Sequence, residues 1–176
     1  MTEYEQTRQA YKPEKIQVLL VAESPPPDDF AGGSRHFYRS EPRTDDRLFM
    51  NTIKALYPET AEMSEEEIEK EKEKWLRRFQ ADGFYMTETL EKSVPRIVKK
   101  PERRKLIEEA LPRLIERLRE LCHKNTKIIL IKSNPFDVAA EPLREAGFNV
   151  LNKTLVDYPG QYNQTAYREK LAALLK

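Results

Sequence analysis

"VLLVAESPPPDDF", residues 18–30, decides how the rest of the chain is read. An aliphatic run stops at a carboxylate, Glu23, and Pro25, Pro26 and Pro27 follow almost at once. Unbroken aliphatic character suits a strand buried on both faces of a parallel sheet. The prolines fix φ and remove backbone donors, so the chain leaves the sheet extended and stiff. Glu23 is thereby held at the sheet edge, on a loop that is rigid where chemistry occurs.

Working outward, three further β-like runs alternate with longer helical ones. Residues 16–22, 83–90, 127–132 and 148–152 are the strand candidates. Ser64 with Glu67 forms a capping box for one helix, with Met63 and Ile68 placed as a hydrophobic staple and Gly83 just past its end. In residues 101–125 a stripe of Ile107, Leu111, Leu114, Leu118 and Leu121 marks another, which Pro112 is expected to kink or divide. Asn134 reads as a cap, Pro135 as the first helical residue and Gly147 as the stop of the helix after the third strand. Residues 43–58 and 163–176 complete the set, and there is no internal repeat.

This alternation predicts an α/β fold: a three-layer αβα sandwich with a mainly parallel four-stranded central sheet, in a single domain over 1–176 with 1–14 as a lead-in. Ligands of such sheets bind beyond the carboxyl ends of the strands. Glu23, Thr87 with Glu88, Ser133 with Asn134, and the loop beyond Asn152 all fall there.

Composition bounds the chemistry. The chain has 176 residues and a formal net charge of +1, so steering toward a polyanion must be local. Arg96, Lys99, Lys100, Arg103, Arg104 and Lys105 form a local basic cluster, whereas residues 59–73 are acidic. The basic cluster bears on a nucleic-acid partner only if it shares a rim with Glu23. The one cysteine, Cys122, excludes an intrachain disulfide framework, a four-thiolate zinc site and an all-cysteine iron–sulfur cluster. Neither His36 nor His123 has metal-site spacing, so no metal and no cofactor is expected. No apolar stretch approaches the ~20 residues that cross a bilayer, and the N-terminus lacks a signal-peptide core. The expected species is a cytoplasmic monomer away from membranes.

The strand ending in "AESP", an aromatic about a dozen residues later, "GFYMTETL", and the final strand leading into "VDYPGQYNQTAYREKL" resemble the uracil-DNA glycosylase superfamily over residues 16–176. The resemblance implies that Glu23 positions or activates the attacking water. Phe37 or Tyr38 falls where an aromatic stacks on the extruded base, and Glu88 near the residue that reads the base edge. Tyr158, Pro159 and Gly160 fall on the family's His-Pro-Ser motif, and the loop through Gln161 and Asn163 on the segment that enters the DNA minor groove.

Two departures have chemical content. An ionised Glu88 only accepts hydrogen bonds, so uracil, with a donor between two acceptors, fits it poorly. The family's histidine, which steadies charge on the leaving base, is replaced by Tyr158, and losing one such donor commonly costs ~10²–10³ in rate. Each residue also has a plainer role: Glu23 as a strand-end salt bridge, Phe37 and Tyr38 as loop anchors, Glu88 as a partner of a nearby Arg or Lys. The implied function is a DNA glycosylase divergent from the uracil-specific members. The alternative is a non-catalytic DNA- or nucleotide-binding protein of the same fold. A flavodoxin-like small-ligand domain fits the alternation but leaves "AESPPP" unexplained.

Overall fold

A computed structural model describes residues 1–26, 36–40 and 46–176. Pro27, Gly32 and Gly33 lie outside the described residues.

Four parallel strands form one sheet in the order β2-β1-β3-β4. They are β1 (Val18–Ala22), β2 (Phe84–Glu88), β3 (Lys127–Leu130) and β4 (Asn149–Val150). Val18 stands opposite both Phe84 and Lys127, and Ala22 opposite Glu88, so the strands end nearly level. Leu19, Leu20, Val21, Ile128, Ile129 and Leu130 are all buried, as continuous aliphatic runs require. The last two strands are shorter than expected from sequence, although Ile131 adds an isolated parallel bridge to Val156.

The helices are α1 (Glu3–Ala10), α2 (Arg47–Leu56), α3 (Glu65–Lys70), α4 (Lys72–Ala81), α5 (Lys100–Leu121), α6 (Ser133–Glu145) and α7 (Gln164–Leu174), with a 3-10 turn at Pro58–Glu62. The step from β1 to β2 moves one way across the sheet, and the steps from β2 to β3 and β4 move the other. Right-handed crossovers therefore place α2–α4 on one face and α5 and α6 on the opposite one. Accordingly α5 packs on α6, while α7 packs on α2. One contiguous core extends from Tyr11 to Leu171.

Four local expectations are corrected. The Ser64–Glu67 capping box forms, but the helix it starts is broken at Glu71 into α3 and α4. There the Glu71 N–H bonds back to Ile68 at 3.2 Å, a tightening that falls between two buried polar side chains, Glu69 and Lys72. Pro112 does not divide α5, which runs 22 residues through it. Burial of Ile107, Leu114 and Leu118 outweighs the ~3 kcal/mol such a proline costs. The helix after β3 begins at Ser133 with no side-chain cap, so Asn134 lies inside its first turn. Residues 1–14 are more than a lead-in, because Thr2 and Glu5 form a capping box that starts α1.

Gly83 and Gly147 end helices as the sequence suggests, with φ of 81° and 94°. At Gly83 the conformation is reinforced by crowding, since a Cβ there would lie 2.5 Å from Gln17 Cγ. Among the described residues no helix is long and apolar enough to cross a membrane.

Candidate functional site

The sheet order reverses between β1 and β3, and a crevice at the carboxyl ends of two such strands is where open α/β sheets bind ligands. Glu23 follows β1 and Lys132 follows β3, and their side chains meet in an ion pair at that crevice. The Glu23 carboxylate is buried and receives two further donors: Asn134 Nδ2 at 2.6 Å on Oε1 and Arg103 Nη1 at 3.3 Å on Oε2. Its main-chain carbonyl accepts from Thr89 Oγ1 at 2.6 Å and Leu90 N at 3.0 Å, which ties the loop after β1 to the loop after β2. Burial opposes the Glu23 charge, but hydrogen bonds from Lys132 and Asn134 and the charges of Lys132 and Arg103 outweigh it and hold the carboxyl below its ordinary range.

Lys132 reaches Glu23 from an unusual backbone. Its φ is 79°, the one positive value at a non-glycine among the described residues. Strain of this kind costs ~1–3 kcal/mol and persists where the surroundings over-determine it. Here the Lys132 N–H donates to Val156 O at 2.8 Å, and the Lys132 carbonyl accepts from Phe136 N at 3.2 Å. The Lys132 side chain as a whole is 38% exposed and lines the cleft. Arg103 is fixed by the carbonyls of Val98 at 2.9 Å and Pro95 at 2.8 Å.

Around this centre lies a cleft of about 400 Å³, walled by Glu23, Phe37, Glu88, Arg103, Lys132 and Tyr158 among others. That volume falls within the usual range for small-molecule sites, ~300–1,000 Å³. Glu23, Phe37, Glu88 and Tyr158 thus share one cleft, as the parallel-sheet reading anticipates. Arg96 and Arg103 of the basic cluster lie on the same wall, while Arg104 is paired with Asp137 and Lys105 with Glu109.

Other expected residues stand elsewhere. Tyr38 is wholly buried; it stacks on Tyr11 at 5.8 Å, and its hydroxyl accepts from Met86 N at 2.6 Å. It belongs to the core, with its ring centroid 5.1 Å from that of Phe37 and 5.9 Å from that of Tyr85. Phe37 is also largely buried, edge-on to Phe49 at 5.6 Å, and presents only a margin to the cleft. Pro159, Gly160, Gln161 and Asn163 are not among the cleft-lining residues. Asn163 instead organises its own loop, donating to Asp157 Oδ2 at 3.3 Å.

Glu88 has the plainer role and something beyond it. Arg8 Nη1 lies 2.7 Å from Oε2, the Tyr4 hydroxyl bonds Oε1, and Arg117 Nη2 holds the Glu88 carbonyl at 2.9 Å. Burial pushes the Glu88 carboxyl up to about 8, opposed by the charge of Arg117, so Glu88 is not the simply ionised group read from sequence. The two cleft carboxylates are therefore driven apart, Glu23 down and Glu88 up.

Sequence reading missed Tyr4, Arg8, Lys132 and the part played by Asn134. Lys132 directly follows the apolar run of β3, which is the same position Glu23 holds after β1. Tyr4 and Arg8 were signalled only by the Thr2–Glu5 capping box. Among the described residues no group of three or more His, Cys, Asp or Glu side chains is placed to hold a metal ion. No family model, curated protein or solved structure matches the chain.

Proposed function

We propose that the chain hydrolyses the N-glycosidic bond of a base extruded from DNA into the Glu23 cleft. The observation that carries this reading is the Glu23 carboxylate, kept ionised in a base-sized cleft at the switch point of the sheet. A carboxylate held below its ordinary range is a poor proton donor at neutral pH. It suits a reaction in which positive charge builds on the sugar: the C1′–N bond breaks with its electrons on the base, and a water oriented by Glu23 forms the C1′–O bond. The water's proton passes to solvent or to the departing base. Arg96 on the cleft wall is the natural seat for a flanking phosphate, while Arg103 is engaged with Glu23 and the carbonyls of Val98 and Pro95.

One observation favours the non-catalytic alternative. Lys132, Arg103 and Asn134 take three of the roughly four acceptor positions of Glu23, which weakens it as a base. A DNA- or nucleotide-binding protein would need only the charge and the cleft.

The test is a panel of single- and double-stranded oligonucleotides carrying uracil, hypoxanthine, xanthine or alkylated bases, scored for abasic sites. Glu23→Gln is expected to lower release by at least ~10² while leaving affinity for an abasic-site analogue nearly unchanged. Release that survives Glu23→Gln overturns the catalytic assignment. Silence across the panel, with DNA still bound, selects the binding protein.

A further inference from the structure

We propose that α1 supplies the recognition wall of the cleft: Tyr4 is the ring on which a planar base stacks, and Tyr4 with Arg8 aims Glu88 at a base edge carrying two adjacent N–H donors, that of guanine or of guanine alkylated at N7. The inference rests on the proposed function for its setting, but its binding test does not require turnover.

The placement of α1 is hard to explain otherwise. The helix has no fully buried residue, so packing alone does not dock it. Its attachments include polar contacts reaching the end of β2: the Tyr4 hydroxyl on Glu88 Oε1, and Arg8 Nη1 at 2.7 Å from Glu88 Oε2 and 3.3 Å from Thr87 Oγ1. Tyr4 and Glu88 both line the cleft. The Tyr4 ring is half-buried, backed by His36 with ring centroids 4.2 Å apart and by the Arg8 guanidinium 5.5 Å from its centroid. With Tyr38 in the core and Phe37 showing only its margin, Tyr4 and Tyr158 are the tyrosine rings on the cleft wall among the described residues, and Tyr4 is the one bonded to Glu88.

The clamp leaves a defined pattern of acceptors. Each Glu88 oxygen already takes one donor from α1, and a carboxylate offers roughly two positions per oxygen, so one remains on each. Two parallel acceptors match the N1–H and N2–H of guanine, whereas uracil and hypoxanthine each present one N–H beside a carbonyl that a carboxylate repels. The charged and titratable groups facing Glu88 are Arg8 and Tyr4 from α1 and Arg117 from α5, with Glu91 3.6 Å from Arg117 Nε and His36 behind the Tyr4 ring. Two guanidiniums against one carboxyl allow it to ionise when a ligand supplies donors, despite the burial that pushes it up to about 8.

Alkylation at N7 fits the rest of the cleft. Such a guanine is cationic, so its C1′–N9 bond breaks to release a neutral base with no proton donated. That matches a site whose other carboxyl, Glu23, is held below its ordinary range.

The test is titration of the full-length protein with deoxyguanosine, deoxyinosine and deoxyuridine from pH 6 to 9. Deoxyguanosine is expected to bind at least ~10-fold tighter than the other two, the value of one hydrogen bond to a charged acceptor. Its affinity should rise with pH and level off above about 8. Arg8→Met should erase the preference and move that plateau to higher pH, and Arg8→Lys should restore the pH but not the preference. Tyr4→Ala should weaken all three ligands alike, with thermal melts confirming that each variant folds. Equal or tighter binding of deoxyinosine or deoxyuridine, no binding of any nucleoside, or a pH profile unmoved by Arg8→Met would each overturn the proposal. Deoxyguanosine binding without release of N7-methylguanine from an oligonucleotide would remove the proposed reaction and keep the recognition wall. Release unaffected by Tyr4→Ala and Arg8→Met would do the reverse.

Discussion

Lys72 Nζ lies 2.6 Å from Asp46 Oδ2, with both side chains withdrawn from solvent. The same ammonium donates to the carbonyl of His36 at 3.1 Å and sits 4.6 Å from the centre of the Phe49 ring. Asp46 in turn caps α2 through Phe49 N at 3.3 Å. This ion pair fastens α4 to both described segments that border the cleft from that side. Lys72→Met leaves Asp46 buried without its partner and is expected to cost ~3–5 kcal/mol, with the double variant Lys72→Met/Asp46→Asn recovering part of it. Urea unfolding of the three variants checks this, and an additive double variant would show that the pair is not coupled.

Tyr167 and Thr52 share a buried hydrogen bond at 2.7 Å between α7 and α2. Tyr167→Phe strands the Thr52 hydroxyl and should cost ~1–3 kcal/mol, whereas Tyr167→Phe with Thr52→Val should fall close to wild type. Thermal unfolding midpoints in that order are the expected outcome.

Two buried groups give stability opposing pH slopes. Burial, with the charges of Lys72, Arg39 and Arg8, lowers His36 from 6.5 to about 4, so its contribution is present above pH 6.5 and is lost as pH falls toward 4. Burial raises Glu88 from 4.5 to about 8, so its contribution is present below pH 4.5 and is lost as pH rises toward 8. Each slope is worth about 1.4 kcal/mol per pH unit, and in the window 4.5–6.5 they cancel. Chemical denaturation across pH 4.5–8 should show Glu88→Gln gaining stability with pH up to about 6.5, and His36→Gln losing it up to about 8. Parallel profiles for the two variants would contradict this.

Gly83 and Gly147 both have positive φ, but only Gly83 is crowded. Alanine at 147 meets nothing within 4 Å and should cost only the backbone strain, ~1–2 kcal/mol. Alanine at 83 adds a collision with Gln17, whose N–H also bonds the Gly83 carbonyl at 2.8 Å, and should cost clearly more. Denaturation midpoints for the two variants compare them directly.

What the sequence made legible was local in origin. The aliphatic runs of β1 and β3, the Ser64 box and the stripe on α5 each depend on neighbours within a few residues, and each has its counterpart in the fold. Glu23 was legible because a strand end and a proline run are both local signals. Lys132, Asn134, Tyr4 and Arg8 were not, because what they touch lies on other strands. Asn134 is instructive: its spacing before Pro135 reads as a cap, yet its amide nitrogen donates to the Glu23 carboxylate on another strand end. Tyr38 was misplaced for a similar reason, since an aromatic in a loop carries no mark of which way the loop turns.

Glu23 and Lys132 are separated by 109 positions along the chain. The cleft centre therefore does not exist in any folding species that has formed β1 with β2 alone, and it is completed only when the slow, non-local pairing of β1 with β3 closes. During refolding, the pairing of those two side chains would act as a clock hand for the joining of β3 to β1, and a nascent chain that has not yet emerged past β3 would have no site to misuse.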